Sequence, residues 1–192
     1  MKRLIKTFWR RLRKPSNAAV GVVLAIGFVG GILFWGAFNT GMEATNTEEF
    51  CSACHAPIVE EIRDTIHYSN RSGVRAICSD CHVPHDWTDK IVRKVQASKE
   101  LVAWAFGTIS TPEKFRERRG HLAHREWKRM QDNDSQECRN CHDFDYMDFS
   151  EQGRRSVAQH STALASGEKT CVDCHKGVAH RLPDMSGVEG WQ

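Results

Sequence analysis

The sequence predicts a mainly α protein with extensive loops, in which a single N-terminal transmembrane helix carries one exported domain. Three observations lead there. Residues Ala18 to Phe38 form an uncharged 21-residue run, four Cys-x-x-Cys-His motifs use all eight cysteines, and the chain after Phe38 is poor in Leu, Ile, Val and Phe. Little or no β-sheet is expected.

The apolar run would make about 31 Å of helix at 1.5 Å per residue, enough to cross a bilayer's hydrocarbon core. Ahead of it, residues 1–17 form a basic foot with Lys2, Arg3, Lys6, Arg10, Arg11, Arg13 and Lys14 and no acidic residue. The positive-inside rule then keeps the N-terminus in the cytoplasm and exports everything after Phe38. A cleaved signal peptide shares the basic start, but the run is longer than a usual signal core. The following Asn39-Thr40-Gly41-Met42-Glu43 lacks a clear small-x-small cleavage site, so an uncleaved anchor in residues 18–38 is expected. Seven of the 27 basic residues precede the helix and all 24 acidic residues follow it, leaving 20 basic against 24 acidic residues outside. The overall net charge of +3 therefore reflects the foot, which suits anionic lipid headgroups, and no basic stripe with interleaved aromatics points to nucleic acid.

The motifs are Cys51-Ser-Ala-Cys54-His55, Cys78-Ser-Asp-Cys81-His82, Cys138-Arg-Asn-Cys141-His142 and Cys171-Val-Asp-Cys174-His175. A thiolate zinc site, a thiol redox pair or a disulfide framework could use Cys-x-x-Cys, but none requires a His directly after the second Cys. Covalent haem c does. Both thiols add to haem vinyl groups and the adjacent His reaches the iron from one side, so four bound haems and electron transfer are expected.

Residues 39–192 hold only 25 Leu, Ile, Val or Phe, about 16% of 154 positions and below the level at which disorder is suspected. Four porphyrins would supply the missing apolar surface, and the covalent and iron-ligand bonds would staple the chain.

The motifs and spare histidines repeat. Residues 48–86 run through His55, His67, His82 and His85, and residues 135–182 through His142, His160, His175 and His180. This predicts two di-haem units. His55, His82, His142 and His175 are the proximal iron ligands; His67, His85, His160 and His180 occupy matching places and are the expected distal ones. His82 and His85 are too close in sequence to grip one iron from opposite sides. The repeat therefore assigns His85 to the first haem and His180 to the third, with His67 and His160 crossing between halves. Between the units, residues 87–134 read as a helical connector. Ile91, Val95, Val102, Ala105 and Ile109 share one face, and Thr111-Pro112-Glu113 caps and restarts a second, charged helix whose His121 and His124 are expected on a solvated face.

With foot, single helix, four haem motifs, Cys81-His82-Val83-Pro84-His85 and the terminal Cys171 to His180 stretch, the chain resembles the NapC/NirT family of membrane-anchored tetrahaem cytochromes over nearly its whole length. The resemblance implies a protein of the bacterial inner membrane. It would oxidise menaquinol or ubiquinol and pass electrons to a periplasmic reductase, with nitrate reductase the best fit. It also implies a quinol site at Lys94 and Glu100, with Lys99 beside them. Some relatives use a Met shortly after the first motif as an iron ligand; here Ala56-Pro57-Ile58 follow His55, so His55 stays the proximal ligand. The far side of that haem then holds His85, or is open, or is occupied by an acidic group.

Two other readings remain open at this stage. One is an anchor that relays electrons to a nitrite, TMAO or other reductase without quinol chemistry of its own; the other is a multihaem reductase acting directly on a small oxyanion.

Overall fold

The computed structural model describes residues 2–12, 19–107 and 111–188. It divides into two compact units, Met1–Ala44 and Thr45–Gln192. Among the described residues there are helices and turns and no strand.

In the first unit, α1 (Lys2–Leu12) shows that the basic foot is itself helical. Ile5, Phe8 and Trp9 fall on one face and Lys2, Lys6 and Arg10 on another, all of them exposed. The remaining foot positions 13–17 and Ala18 lie outside the described residues. Helix α2 (Val20–Ala44) is long and apolar enough to cross a membrane. None of it is buried in protein; Leu24 is 67% and Phe28 70% exposed. It continues past Phe38 because Asn39 and Thr40 donate back to the carbonyls of Trp35 and Gly36, at 2.8 and 2.9 Å, so neither polar side chain interrupts it.

The second unit opens with α3 (Glu48–Arg63), whose N-cap Thr47 accepts from the Phe50 N–H at 3.3 Å. Pro57 lacks the N–H that would bond to the carbonyl four residues back, and the helix bends at His55, with φ −112° and ψ 30°. Then follow α4 (Cys78–His82), α5 (Trp87–Ala105) and α6 (Pro112–Asp132). Asp86 caps α5 by accepting from Thr88 and Asp89, and Thr111 caps α6 by accepting from Lys114, with Pro112 in the first turn. Short elements complete the unit: α7 (Gln136–Arg139), two 3-10 turns at Phe144–Tyr146 and Phe149–Glu151, α8 (Arg154–Gln159), a π-turn at His160–Leu164 and α9 (Cys171–Cys174).

The apolar core is minimal. Among the described residues, the buried apolar side chains are Val59, Ile62, Ala163 and Val172. The expected apolar face of α5 is not covered by protein: Val95 is 67% and Val102 56% exposed, and Ile109 lies outside the described residues.

Polar ties do much of the holding instead. Arg119 of α6 grips Glu61 of α3 with two hydrogen bonds of 2.6 Å, and Glu61 also accepts from the Arg181 N–H at 2.9 Å, fastening the C-terminal segment to α3. Ser135 is fully buried with φ 51°. Its hydroxyl oxygen accepts from Thr170 Oγ1 at 2.7 Å and from the Val172 N–H at 3.1 Å, joining the start of the third motif to the start of the fourth.

Candidate electron-transfer site

Two of the motifs carry their own helix signal. In Cys78-Ser-Asp-Cys and Cys171-Val-Asp-Cys, the Asp turns back to the residue before the first Cys: Asp80 accepts from the Ile77 N–H and Asp173 from the Thr170 N–H, each at 2.8 Å. That bond satisfies an N–H the first turn would leave unpaired, and it sets the two thiols and the His on one short coil. All eight thiols are free. The thiols of Cys51 and Cys78, and of Cys138 and Cys171, lie within hydrogen-bonding reach of each other, so the first cysteines of successive motifs meet in both halves. Among the described residues, no three or more His, Cys, Asp or Glu converge to hold a metal ion.

The histidines meet in pairs. Ring centroids are 6.2 Å apart for His67 and His142, 6.1 Å for His82 and His180, and 6.0 Å for His160 and His175. Two imidazoles binding one iron through bonds of about 2 Å have centroids about 6 Å apart, so the spacing fits a haem iron between each pair. The protonation states fit as well. Burial, then the neighbouring His82, lowers His180 to about 4, and burial lowers His175, which favours the neutral imidazole that can ligate.

The partners differ from those the repeat suggests. His67 does cross between the halves, but His180 stands beside His82 of the second motif, not His142 of the third, and His160 stands beside His175 within its own half. The Glu61, Arg119 and Arg181 tie explains the first difference, because it brings the residue next to His180 onto α3. His85 is exposed, and the expected partnership with the first motif has no counterpart among the ring pairs of the described residues.

The group against His55 is a carboxylate. Glu100 Oε2 lies 3.4 Å from His55 Nε2, and Glu100 Oε1 is 3.6 Å from Arg125 and 4.0 Å from Arg93. The bond to His55, opposed by burial and aided by the arginine charges, holds the Glu100 carboxyl below its ordinary range. Lys94, six residues earlier on α5, donates to the Thr45 carbonyl and hydroxyl at 2.9 and 2.7 Å. The Cys51 thiol is drawn down to about 7, first by Cys78, against burial, and then by the charge of Lys94. Lys94 and Glu100 therefore have different partners but both border the first motif. Lys99 is exposed.

On α6, His121 and His124 are exposed as expected, with His124 edge-on to Trp127 at 5.1 Å. The opposite face of this helix is the informative one. Glu126 Oε2 is 3.5 Å from His82 Nδ1, Arg93 donates to the His82 carbonyl at 3.0 Å, and Arg129 donates to the Cys81 carbonyl at 3.1 Å. Burial pushes the Glu126 carboxyl up, but His82, Arg93 and Arg129 outweigh it and hold the group well below the usual range. Sequence reasoning missed Arg93, Arg125 and Glu126. The signal for Glu126 is the spacing of Arg119, Leu122, Glu126 and Arg129, which puts charges on the face where apolar residues are normally sought.

The family model for the NapC/NirT cytochrome c family, N-terminal region, matches residues 13–185. The cytochrome c-type protein NapC of Escherichia coli (strain K12) is 56% identical over 189 residues, covering 97% of this chain and 94% of that protein. NapC of Paracoccus pantotrophus is 57% identical over 96% of this chain and 80% of its own. The denitrification system component NirT of Stutzerimonas stutzeri is 54% identical over 90% and 88%. No solved structure matches the chain. A membrane-type helix, three motif histidines each set beside a second histidine at an iron-spanning distance and similarity along nearly the full length together place this chain in the NapC/NirT family of c-type cytochromes.

Proposed function

We propose that this protein is a quinol dehydrogenase of the bacterial inner membrane, with its N-terminus in the cytoplasm and its cytochrome domain in the periplasm. It oxidises menaquinol or ubiquinol and passes the electrons to a periplasmic reductase, nitrate reductase being the best fit. When bound, four haems c supply irons that change oxidation state one electron at a time. The eight motif cysteines would attach them, with His55, His82, His142 and His175 as motif ligands and His180, His67 and His160 as the imidazoles that would complete the second, third and fourth sites.

The observation that carries this reading is the exception among the motifs. Three motif histidines face an imidazole at 6.0–6.2 Å, and His55 faces the Glu100 carboxylate. Quinol oxidation releases two protons for two electrons, and an iron centre takes only the electrons, so a proton acceptor is needed beside the haem that quinol meets. Glu100, held ionised by His55 and then by the charges of Arg93 and Arg125, is that acceptor. Lys94, held at Thr45, orients a quinol oxygen. The relative NirT is a denitrification system component, which supports a reductase of nitrogen oxyanions as the acceptor system.

The test is stopped-flow reduction of the purified, haem-loaded protein by a quinol analogue. Glu100→Gln and Lys94→Ala should each slow haem reduction by about 100-fold or more, while dithionite still reduces all haems. Parent-like rates in both variants would assign quinol chemistry elsewhere and leave a relay anchor.

A further inference from the structure

We infer that Glu126 is a positioning residue that lowers the potential of the second haem by accepting a hydrogen bond from the outer nitrogen of its His82 ligand. This rests on the assignment of His82 and His180 as that haem's ligands. In a Cys-x-x-Cys-His motif that turns Nε2 to its iron the nitrogen left over on His82 is Nδ1, and Glu126 Oε2 is 3.5 Å from it, with the His180 ring 6.1 Å away between centroids.

The carboxylate is held there by design of its surroundings. Glu126 accepts from Arg129 Nε at 3.0 Å and from Arg93 at 3.4 Å. The same two arginines donate to the Cys81 and His82 carbonyls, so each spans from Glu126 to the backbone of the second motif. The Glu126 side chain is only 18% exposed, which limits solvent screening of its charge.

Of His67, His160 and His180, two meet neutral acceptors at Nδ1 and one meets none. His67 faces the Val178 carbonyl at 3.2 Å, His160 faces the Gln152 amide oxygen at 2.8 Å, and Nδ1 of His180 is buried without a partner. A full carboxylate behind an imidazole draws the N–H proton away and makes the ring a more basic ligand, as outer-shell carboxylates do for metal-bound histidines generally. A more basic ligand stabilises ferric over ferrous iron. The second haem is thereby distinguished from the third and fourth by charge, although all three have two imidazoles.

The experiment is a spectropotentiometric titration of the purified full-length protein beside Glu126→Gln and Glu126→Asp. Glu126→Gln should move one haem component upward by about tenfold in its ferrous-to-ferric ratio, about 59 mV for one electron, with the others unmoved. Glu126→Asp draws the carboxylate back by one methylene and should shift the same component the same way by less, so it carries the test if the Gln variant fails to load haem. His180→Ala separates the two levels of argument. If it removes no low-spin haem, the ligand assignment fails; if it removes one and neither Glu126 variant shifts a potential, the role given to Glu126 is wrong.

Discussion

Glu100 and Glu126 approach opposite nitrogens of two motif histidines: Glu100 stands 3.4 Å from Nε2 of His55, Glu126 3.5 Å from Nδ1 of His82. In a Cys-x-x-Cys-His motif that turns Nε2 to its iron, the first carboxylate is on the iron side and the second is behind the ring. One chemical group thus takes two roles by position alone.

If Glu100 occupies the side of the first haem where an imidazole is found in the others, Glu100→His should convert that haem to a two-imidazole state. Electron paramagnetic resonance of the oxidised protein should show a high-spin signal in the parent, replaced in the variant by an additional low-spin signal. An unchanged spectrum would remove Glu100 from the iron's neighbourhood.

The three imidazole pairs differ in orientation. The His67 and His142 planes are 82° apart, whereas those of His82 with His180 and of His160 with His175 are 33° apart. Near-perpendicular ligand planes leave two iron d orbitals close in energy and widen the g anisotropy. One strongly anisotropic low-spin signal beside two rhombic ones is expected, and His67→Ala should abolish the former while sparing the latter.

Acid should attack the buried pair of Arg129 and Glu137. Burial raises the Glu137 carboxyl, but Asn133 and Arg129 outweigh it and hold the group below its ordinary value of 4.5. A depressed folded-state value contributes stability that is fully present above 4.5 and is lost as pH falls through the folded value. Glu137→Gln should cost about 3 kcal/mol at neutral pH and flatten the acid limb below pH 4.5, read by thermal denaturation across pH.

Ser135 should be sensitive to loss of a single oxygen. Ser135→Ala leaves Thr170 Oγ1 and the Val172 N–H without their buried acceptor and should cost about 1–3 kcal/mol in the same assay. Loss of near-ultraviolet dichroism at lower temperature, with haem content preserved, is the expected result.

The sequence reveals what is local and hides what is closed over distance. The long helix follows from its uncharged run, and the start of α6 from Thr111-Pro112, because caps and hydropathy act within a few residues. The meeting of His180 with His82 depends on Glu61 binding Arg119 and Arg181 from distant parts of the chain, which no repeat pattern encodes. Similarly, α6 reads as a solvated charged helix, yet the Arg119, Glu126 and Arg129 side chains are only 16%, 18% and 20% exposed. Periodicity searches look for apolar faces, and this face is built of charges paired across to α3, α5 and the second motif.

The small apolar core of the second unit, Val59, Ile62, Ala163 and Val172 among the described residues, carries a consequence for quality control in the cell. A chain with so little oil-like interior resists proteases only once its prosthetic groups are attached, so cofactor loading and survival become one decision. Incompletely loaded copies would remain open to cleavage and be cleared before they reached a working electron chain.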